Sequence, residues 1–454
     1  MPDLTCKLLI IGAGPGGYVC AIRAGQLGID TIIVDEGRAG GTCLNVGCIP
    51  SKALIHAADE FHRITEMKDS PLGISAAAPQ IDLKQTVAWK DGIVGRLNAG
   101  VSGLMKQAGA RFVSGRARFV DGKTVSVTDA AGQESEIRAD YIVIATGSAP
   151  VELPFAPFGQ DVLSSTEALS LSDVPASMAV IGGGYIGLEL GTAFAKLGSK
   201  VTVLEAARHI MPSYDRALIA PVEQRLRALG VSVLSETTAQ GYAGGVLSTD
   251  KGDVEAGKLL VSVGRRPRTK GIGIEELSLT MDGPFIRIDQ TCQTSMRGIY
   301  AIGDVTGDPM LAHRAMAQGD MVAEHIAGHA VAWDKRAIPA VCFTDPEIVT
   351  CGMLPGEMDG TVSSEFPFRA NGRAMTCDAE DGFIRVVWRQ SDQAVVGIQA
   401  VGAQVSELSA AFALAIEMGA RLEDIAATIH AHPTLSEGLQ EACLKAQDRA
   451  LHMA

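Results

Sequence analysis

A strand, a glycine-rich turn, a helix and a second strand occur twice in this chain at a fixed spacing, and that repetition limits the fold more than any other feature. In the first copy the apolar run 8–11 leads into Gly12-Ala13-Gly14-Pro15-Gly16-Gly17, an alanine-rich helix ending near Leu27-Gly28, and a run, 31–34, that stops at Asp35. In the second, the run 178–181 leads into Gly182-Gly183-Gly184-Tyr185-Ile186-Gly187, a helix ending at Leu197-Gly198, and a run, 201–204, that stops at Glu205. Each landmark is displaced by 170 residues, Gly12 to Gly182, Gly28 to Gly198 and Asp35 to Glu205. The pattern is one supersecondary unit used twice.

Each unit has what a dinucleotide needs. Gly12, Gly14 and Gly17, and their counterparts Gly182, Gly184 and Gly187, allow a tight turn, close approach of a pyrophosphate and tight helix packing. The helix N-terminus offers unpaired N–H groups to phosphate, and the acids Asp35 and Glu205 can accept from ribose hydroxyls. One such glycine pattern is weak evidence, because similar turns are often only structural. Two in matched contexts predict an α/β fold with two Rossmann-like dinucleotide-binding domains. The runs ending at Gly147 and Gly264 sit where each doubly wound unit finishes. From about Ala340 the character changes to strands at 383–388 and 395–401 and a long helix at 406–418, which reads as a separate α+β domain.

With 454 residues, 47% of them hydrophobic, the chain can bury several cores. A net charge of -13, with no Lys/Arg block, argues against nucleic acid or an anionic membrane surface as the main partner. No apolar run reaches the roughly 18 residues of a membrane span, and the start lacks a cationic leader, so a reducing, cytoplasmic setting is expected. The nine cysteines include no Cys-x-x-Cys pair and none has a histidine at zinc spacing. No metal is expected. A disulfide that persists in a reducing compartment is usually catalytic or sensing, and only Cys43 and Cys48 are close enough in sequence to form one locally. Cys6, Cys20, Cys292, Cys342, Cys351, Cys377 and Cys443 read as core or surface residues.

A small cysteine ring beside two dinucleotide units implies an electron relay from a thiol through protein sulfurs and a flavin to a nicotinamide. The first unit suits the flavin, since the cysteines follow Asp35 directly. Asp304, at a strand end, can hydrogen-bond the ribityl chain or merely start a turn.

The run from Gly40 to Lys52, Gly-Gly-Thr-Cys-Leu-Asn-Val-Gly-Cys-Ile-Pro-Ser-Lys, resembles the class I pyridine nucleotide-disulfide oxidoreductases, and among them the dihydrolipoamide dehydrogenases. So do both fingerprints, Ala145-Thr146-Gly147, Ala301-Ile302-Gly303-Asp304 and the run from His430 to Glu437. The resemblance spans nearly the whole chain. It implies an FAD-binding domain (1–148), an NAD-binding domain (149–268), a central domain completing the FAD site (269–340) and an interface domain (341–454) that forms a homodimer. It further implies FAD contacts from Lys52, Gly147, Asp304 and Ala312, and NAD contacts from Glu189 and Gly264, with Glu189 also the partner of Lys52. Cys43 would exchange with substrate and Cys48 would face the flavin; His432, preceding a cis Pro433, would be the base, contributed by the other subunit and oriented by Glu437.

Local sequence alone leaves other roles open. Thr434-x-x-Glu437 fits a capping box, His430 competes with His432, and a solvated surface lysine is the usual reading of Lys52. Glu205 would repel a 2′-phosphate and favour NAD over NADP; Ala206 and Pro212 stand where NADP-using relatives carry arginines. The implied partners are lipoyl domains bearing dihydrolipoamide and the subunit-binding segment of the acyltransferase in a 2-oxo acid dehydrogenase complex. Some stretches, among them 87–94 and 265–271, resemble the branched-chain form. The alternatives are a glutathione-type or mercuric-type reductase and a non-catalytic flavoprotein docking or sensor component. The tail 446–454 carries no thiol, and mercuric and large thioredoxin reductases need extra thiols there.

Overall fold

The computed structural model describes residues 4–67 and 71–453. Its helices are α1 (Pro15–Gln26), α2 (Gly41–Val46), α3 (Cys48–Glu66), α4 (Leu83–Gln107), α5 (Ser165–Ala168), α6 (Tyr185–Lys196), α7 (Arg216–Ala228), α8 (Ala312–Ile326), α9 (Gly372–Thr376), α10 (Ser409–Glu417), α11 (Leu422–Ala427) and α12 (Glu437–Ala446).

The first unit forms a sheet in which Leu4–Ile11 lies between Thr31–Asp35 and Glu134–Ile144, parallel to both, with Leu8 opposite Thr31 and Tyr141. Leu8, Leu9 and Ile10 are fully buried, as expected of a parallel sheet covered on both faces. Ile299–Ala301 joins this sheet beside Glu134–Ile144, so a segment from beyond the second unit completes the first. In the second sheet Ser177–Ile181 lies between Lys200–Leu204 and Lys258–Val261, again parallel to both. The C-terminal sheet is antiparallel, in the order Ala340–Cys342, Glu347–Gly352, Val395–Gly402, Phe383–Arg389, Thr361–Pro367.

Two sequence expectations differ from the structure. The apolar run read as leading to Gly147 is the end of an 11-residue strand, Glu134–Ile144; its first half alternates buried and exposed residues and only its last third is continuously apolar. The helix expected over 406–418 opens as a 3-10 turn, Val405–Leu408, and becomes α-helical only at Ser409.

Glycines bring α8 against α1: a Cβ at Gly319 would lie 2.3 Å from Gly16 O, and one at Gly16 would lie 2.9 Å from Ala315 O. Ion pairs join the three regions. Lys196 on α6, nearly buried, is 2.6 Å from Asp59 on α3 and 2.7 Å from Asp345, which Arg225 on α7 also contacts at 2.8 Å. Arg385 holds Asp215, the residue capping α7, at 2.6 Å and Glu365 at 2.7 Å. Among the described residues no helix is long and apolar enough to cross a membrane.

Candidate active site

The first glycine turn separates packing from binding. Gly12 has φ +103°, and a Cβ on it would lie 2.3 Å from Ala145 O; one on Gly17 would lie 1.9 Å from Gly12 O. Gly14 instead faces open space and caps α1 with no side-chain bond, leaving first-turn N–H groups and the positive dipole end available to a phosphate. Asp35 accepts from Ala13 N at 2.6 Å and Gly37 N at 2.7 Å.

A cavity of about 490 Å³ runs from this turn, lined by Gly12, Gly14, Asp35, Cys43, Cys48, Lys52, Gly147, Asp304 and Ala312. Gly17 packs behind that wall. Ala312 opens α8. Asp304 both lies in the first turn of the 3-10 helix Gly303–Thr306 and faces the cavity, accepting from Ser148 Oγ at 2.5 Å; Ser148 Oγ in turn accepts from Arg265 Nε at 2.7 Å. Open backbone donors at one end and anchored polar groups along the wall fit a dinucleotide.

The cysteine segment reaches this cavity through Gly40 and Gly41, both at positive φ; a Cβ on Gly41 would lie 2.5 Å from Gly14 Cα. Cys43 lies on α2 and Cys48 starts α3, and both are free thiols. The two sulfurs are not equivalent. Donation to Cys48 pushes the Cys43 thiol well above its usual range, and burial adds to this. The same bond lowers Cys48 to about 7, against its burial and with help from the Lys52 charge. Cys48 also occupies a helix N-terminus, where the dipole favours a thiolate.

Lys52 is no solvated lysine: its Nζ is 2.6 Å from Glu189 Oε2, a carboxylate only 5% exposed. Phe343 N donates to Glu189 Oε1 at 2.9 Å, and the Phe343 ring centroid is 4.4 Å from Lys52 Nζ. Glu189, expected both at the NAD and as the partner of Lys52, directs its carboxylate to Lys52 on the wall of the first cavity, which it lines with Tyr185 from the same helix. The cause is positional, since α6 packs against α3 and brings Glu189 against Lys52.

The second turn repeats the first. Gly182 has φ +104° and a Cβ there would lie 2.5 Å from Ser262 O; one on Gly187 would lie 2.3 Å from Gly182 O, and Gly184 is open and caps α6 without a side chain. Glu205 accepts from Gly183 N and Ala207 N, both at 2.8 Å, and Gly264 has φ +117° with open space at its Cβ. The uncapped helix and open Gly184 fit a second dinucleotide.

His432 Nδ1 lies 2.9 Å from Glu437 Oε1, beside a cis His432-Pro433 bond. Glu437 Oε2 accepts from Thr434 N at 2.7 Å. The capping box is not formed as expected: α12 begins at Glu437 with Ser436 as its cap, so Thr434 lies outside the helix start. Burial raises the Glu437 carboxyl, but the Thr434 and His432 bonds outweigh it and hold the group below its usual value. His430 Nδ1 lies 2.9 Å from Thr428 O instead. The His432 side chain is 80% exposed and does not line the cavity of its own chain. Sequence reasoning gave no site role to Ser148, Arg265 or Phe343; Ser148 only follows the Ala145-Thr146-Gly147 motif, Arg265 lies in the 265–271 stretch read solely as a branched-chain likeness, and Phe343 reaches the site from the C-terminal domain.

The family model described as pyridine nucleotide-disulphide oxidoreductase matches residues 6–319, and the dimerisation domain of the same family matches residues 338–443. The chain belongs to the pyridine nucleotide-disulphide oxidoreductases. Relatives in this oxidoreductase family include the dihydrolipoyl dehydrogenase of Pseudomonas aeruginosa, 54% identical with 99% of each chain covered. That of Geobacillus stearothermophilus is 44% identical over 99% of this chain and 98% of the relative. Among solved structures, LpdA from Mycobacterium tuberculosis superposes with a TM-score of 0.91 at 27% identity, covering 97% of this chain and 99% of that one. The flavoprotein disulfide reductase RclA from Escherichia coli, at 23% identity and a TM-score of 0.86, covers 97% of this chain and 99% of that one and shares the fold. Oxidoreductases of this family use FAD and a pyridine nucleotide, consistent with two uncapped helix N-termini behind open glycines.

Proposed function

We propose that this chain is a dihydrolipoyl dehydrogenase that returns protein-bound dihydrolipoyl groups to the disulfide form and reduces NAD⁺. The observation that carries this is the asymmetric Cys43–Cys48 pair, with Lys52 and Glu189 beside it, on the wall of a dinucleotide-sized cavity. The 54% identity to a dihydrolipoyl dehydrogenase supports the choice of substrate.

Gly12, Gly14, Asp35, Lys52, Gly147, Asp304 and Ala312 would hold FAD, and Gly182, Gly184, Gly187, Glu205 and Gly264 would hold NAD⁺. Bound FAD supplies a two-electron relay between sulfur and nicotinamide. The chain's own residues manage sulfur and protons. A free dithiol with a pKa near 8.5 is only about 3% thiolate at pH 7, so a base is needed. His432, with its Nδ1–H committed to Glu437, has Nε2 available to take the proton. The substrate thiolate attacks Cys43 of the oxidised pair, forming a mixed disulfide and releasing Cys48 as a thiolate. The second substrate sulfur then attacks the first and breaks its bond to Cys43, the released Cys43 thiolate taking up the second proton, so the substrate leaves as a disulfide and both electrons remain on the cysteines. Lys52 and the α3 N-terminus stabilise the Cys48 thiolate.

The dimerisation domain supports a homodimer, and the exposure of His432 supports its acting in the partner's cavity. The working setting is a 2-oxo acid dehydrogenase complex in a reducing cytoplasm, the branched-chain form favoured by the 87–94 and 265–271 stretches. Domain limits of 148, 268 and 340 accompany this assignment.

Anaerobic titration of the flavin-loaded protein with dihydrolipoamide tests it. A long-wavelength thiolate-to-flavin band that vanishes in Cys48→Ser is expected; no reduction by the dithiol overturns the assignment.

A further inference from the structure

Phe343 follows the strand Ala340–Cys342 in the C-terminal domain, yet both its ring and its backbone act on groups beside the cysteine pair. The ring centroid stands 4.4 Å from Lys52 Nζ, and the Phe343 N–H donates to Glu189 Oε1 at 2.9 Å while Glu189 Oε2 holds Lys52 at 2.6 Å. Lys52 is thus gripped by a carboxylate on one side and an aromatic ring on another. The turn carrying Phe343 is itself fastened. Cys342 Sγ lies 3.2 Å from Tyr214 OH, Thr344 Oγ1 donates to Pro346 O at 2.7 Å, and Asp345 is paired with Lys196 and Arg225.

We propose that Phe343 is a positioning residue of the redox centre: its ring, acting with Glu189, holds the Lys52 ammonium where it stabilises the Cys48 thiolate, so the C-terminal domain tunes that sulfur. The inference rests on the Cys43–Cys48 relay proposed above.

An aromatic face attracts an ammonium through its quadrupole, most strongly where water is excluded. Without the ring, Lys52 would move toward Glu189 and solvent, and its field at Cys48 would weaken. Cys48 also feels Cys43 on α2 and Glu189 on α6, with Tyr18 on α1 and Tyr185 on α6 beside it, and Arg265 acts on Tyr185 from the same cavity wall. Lys52 is the cation that lowers Cys48 and the one the Phe343 ring stands over, so it is through Lys52 that Phe343 can act.

The test is a pH titration of the thiolate-to-flavin band in dithiol-reduced holoenzyme, comparing wild type, Phe343→Leu, Phe343→Met and Phe343→Tyr. Leu and Met keep the backbone N–H to Glu189 but lose the ring, and Met provides a second reading should Leu fold poorly. Both are expected to move the midpoint to higher pH by an amount equal to roughly 3–10-fold weaker thiolate formation, with Tyr within about twofold of wild type. A merely structural residue would lower yield or activity without moving this midpoint. Unchanged midpoints in Leu and Met overturn the role of Phe343 while leaving the relay intact. A reduced wild-type enzyme without the band overturns the relay, and this inference with it.

Discussion

Glu437 divides its carboxylate between His432 Nδ1, at 2.9 Å, and the Thr434 N–H, at 2.7 Å. One oxygen orients the imidazole while the other anchors the carboxylate to the backbone, so the histidine's tautomer is set by a group that cannot swing away. Replacing His432 with Gln is expected to lower turnover by roughly 10²–10⁴-fold. Glu437→Gln, which keeps an acceptor but loses the charge, should cost less. Steady-state rates at saturating dihydrolipoamide check both, and a near-wild-type His432→Gln would remove the histidine from the chemistry.

Cys48, lowered to about 7 by the Cys43 hydrogen bond against its burial, should become thiolate as pH rises through neutrality. The thiolate-to-flavin band of reduced enzyme is expected to grow over that window. Lys52→Met should shift it to higher pH by about one unit, because removing a neighbouring cation disfavours the anion. A pH-independent band in wild type would contradict the assignment of the sulfur.

Asp345 supplies a stability test with a definite sign. Burial raises its carboxyl, but Lys196 and Arg225 more than compensate and hold it below the usual value. A carboxyl depressed in the folded state stabilises fully above the unfolded value of about 3.9 and loses that contribution as pH falls through the native one. Asp345→Asn should therefore cost roughly 1–3 kcal/mol at neutral pH. It should also flatten the acid side of the stability profile. Denaturant melts at pH 7 and below pH 4 would reveal both effects.

Nucleotide choice is expected to follow Glu205, whose carboxylate is pinned by Gly183 N and Ala207 N. A 2′-phosphate brought against it meets a fixed like charge costing several kcal/mol, so kcat/KM should favour NAD⁺ over NADP⁺ by about 10²-fold or more. Comparable values for the two would show that another group governs the choice.

Much of the architecture could be read from sequence because it is local and repeated. The Gly12 and Gly182 turns need positive φ and close backbone contact, demands that only glycine meets and that therefore appear in the sequence. Cys43, Cys48 and Lys52 lie within a single short run. Contacts between remote segments left no such trace. Phe343 is an unremarkable aromatic just past a short strand, and its meeting with Lys52 depends on how three domains pack. The strand Glu134–Ile144 was legible only at its apolar end, because its first half alternates while lying against the antiparallel neighbour Thr124–Thr128. Thr434 matched a capping pattern, but the helix starts later at Glu437, where the acid is drawn back to Thr434 N and His432.

The C-terminal domain presents Ile429 94% exposed, Met418 76% exposed and Leu414 63% exposed, in the same stretch of chain as His432. Apolar surface of this kind is adhesive in water until something covers it. If His432 serves the partner's cavity, as proposed, a newly made subunit would be unfinished in two respects at once, lacking a proton acceptor in its cavity and carrying a sticky flank. One encounter with its twin would cure both. Dilution should silence the enzyme and favour clumping together, and a mutation that loosens the pair would be felt first as loss of usable protein in the cell.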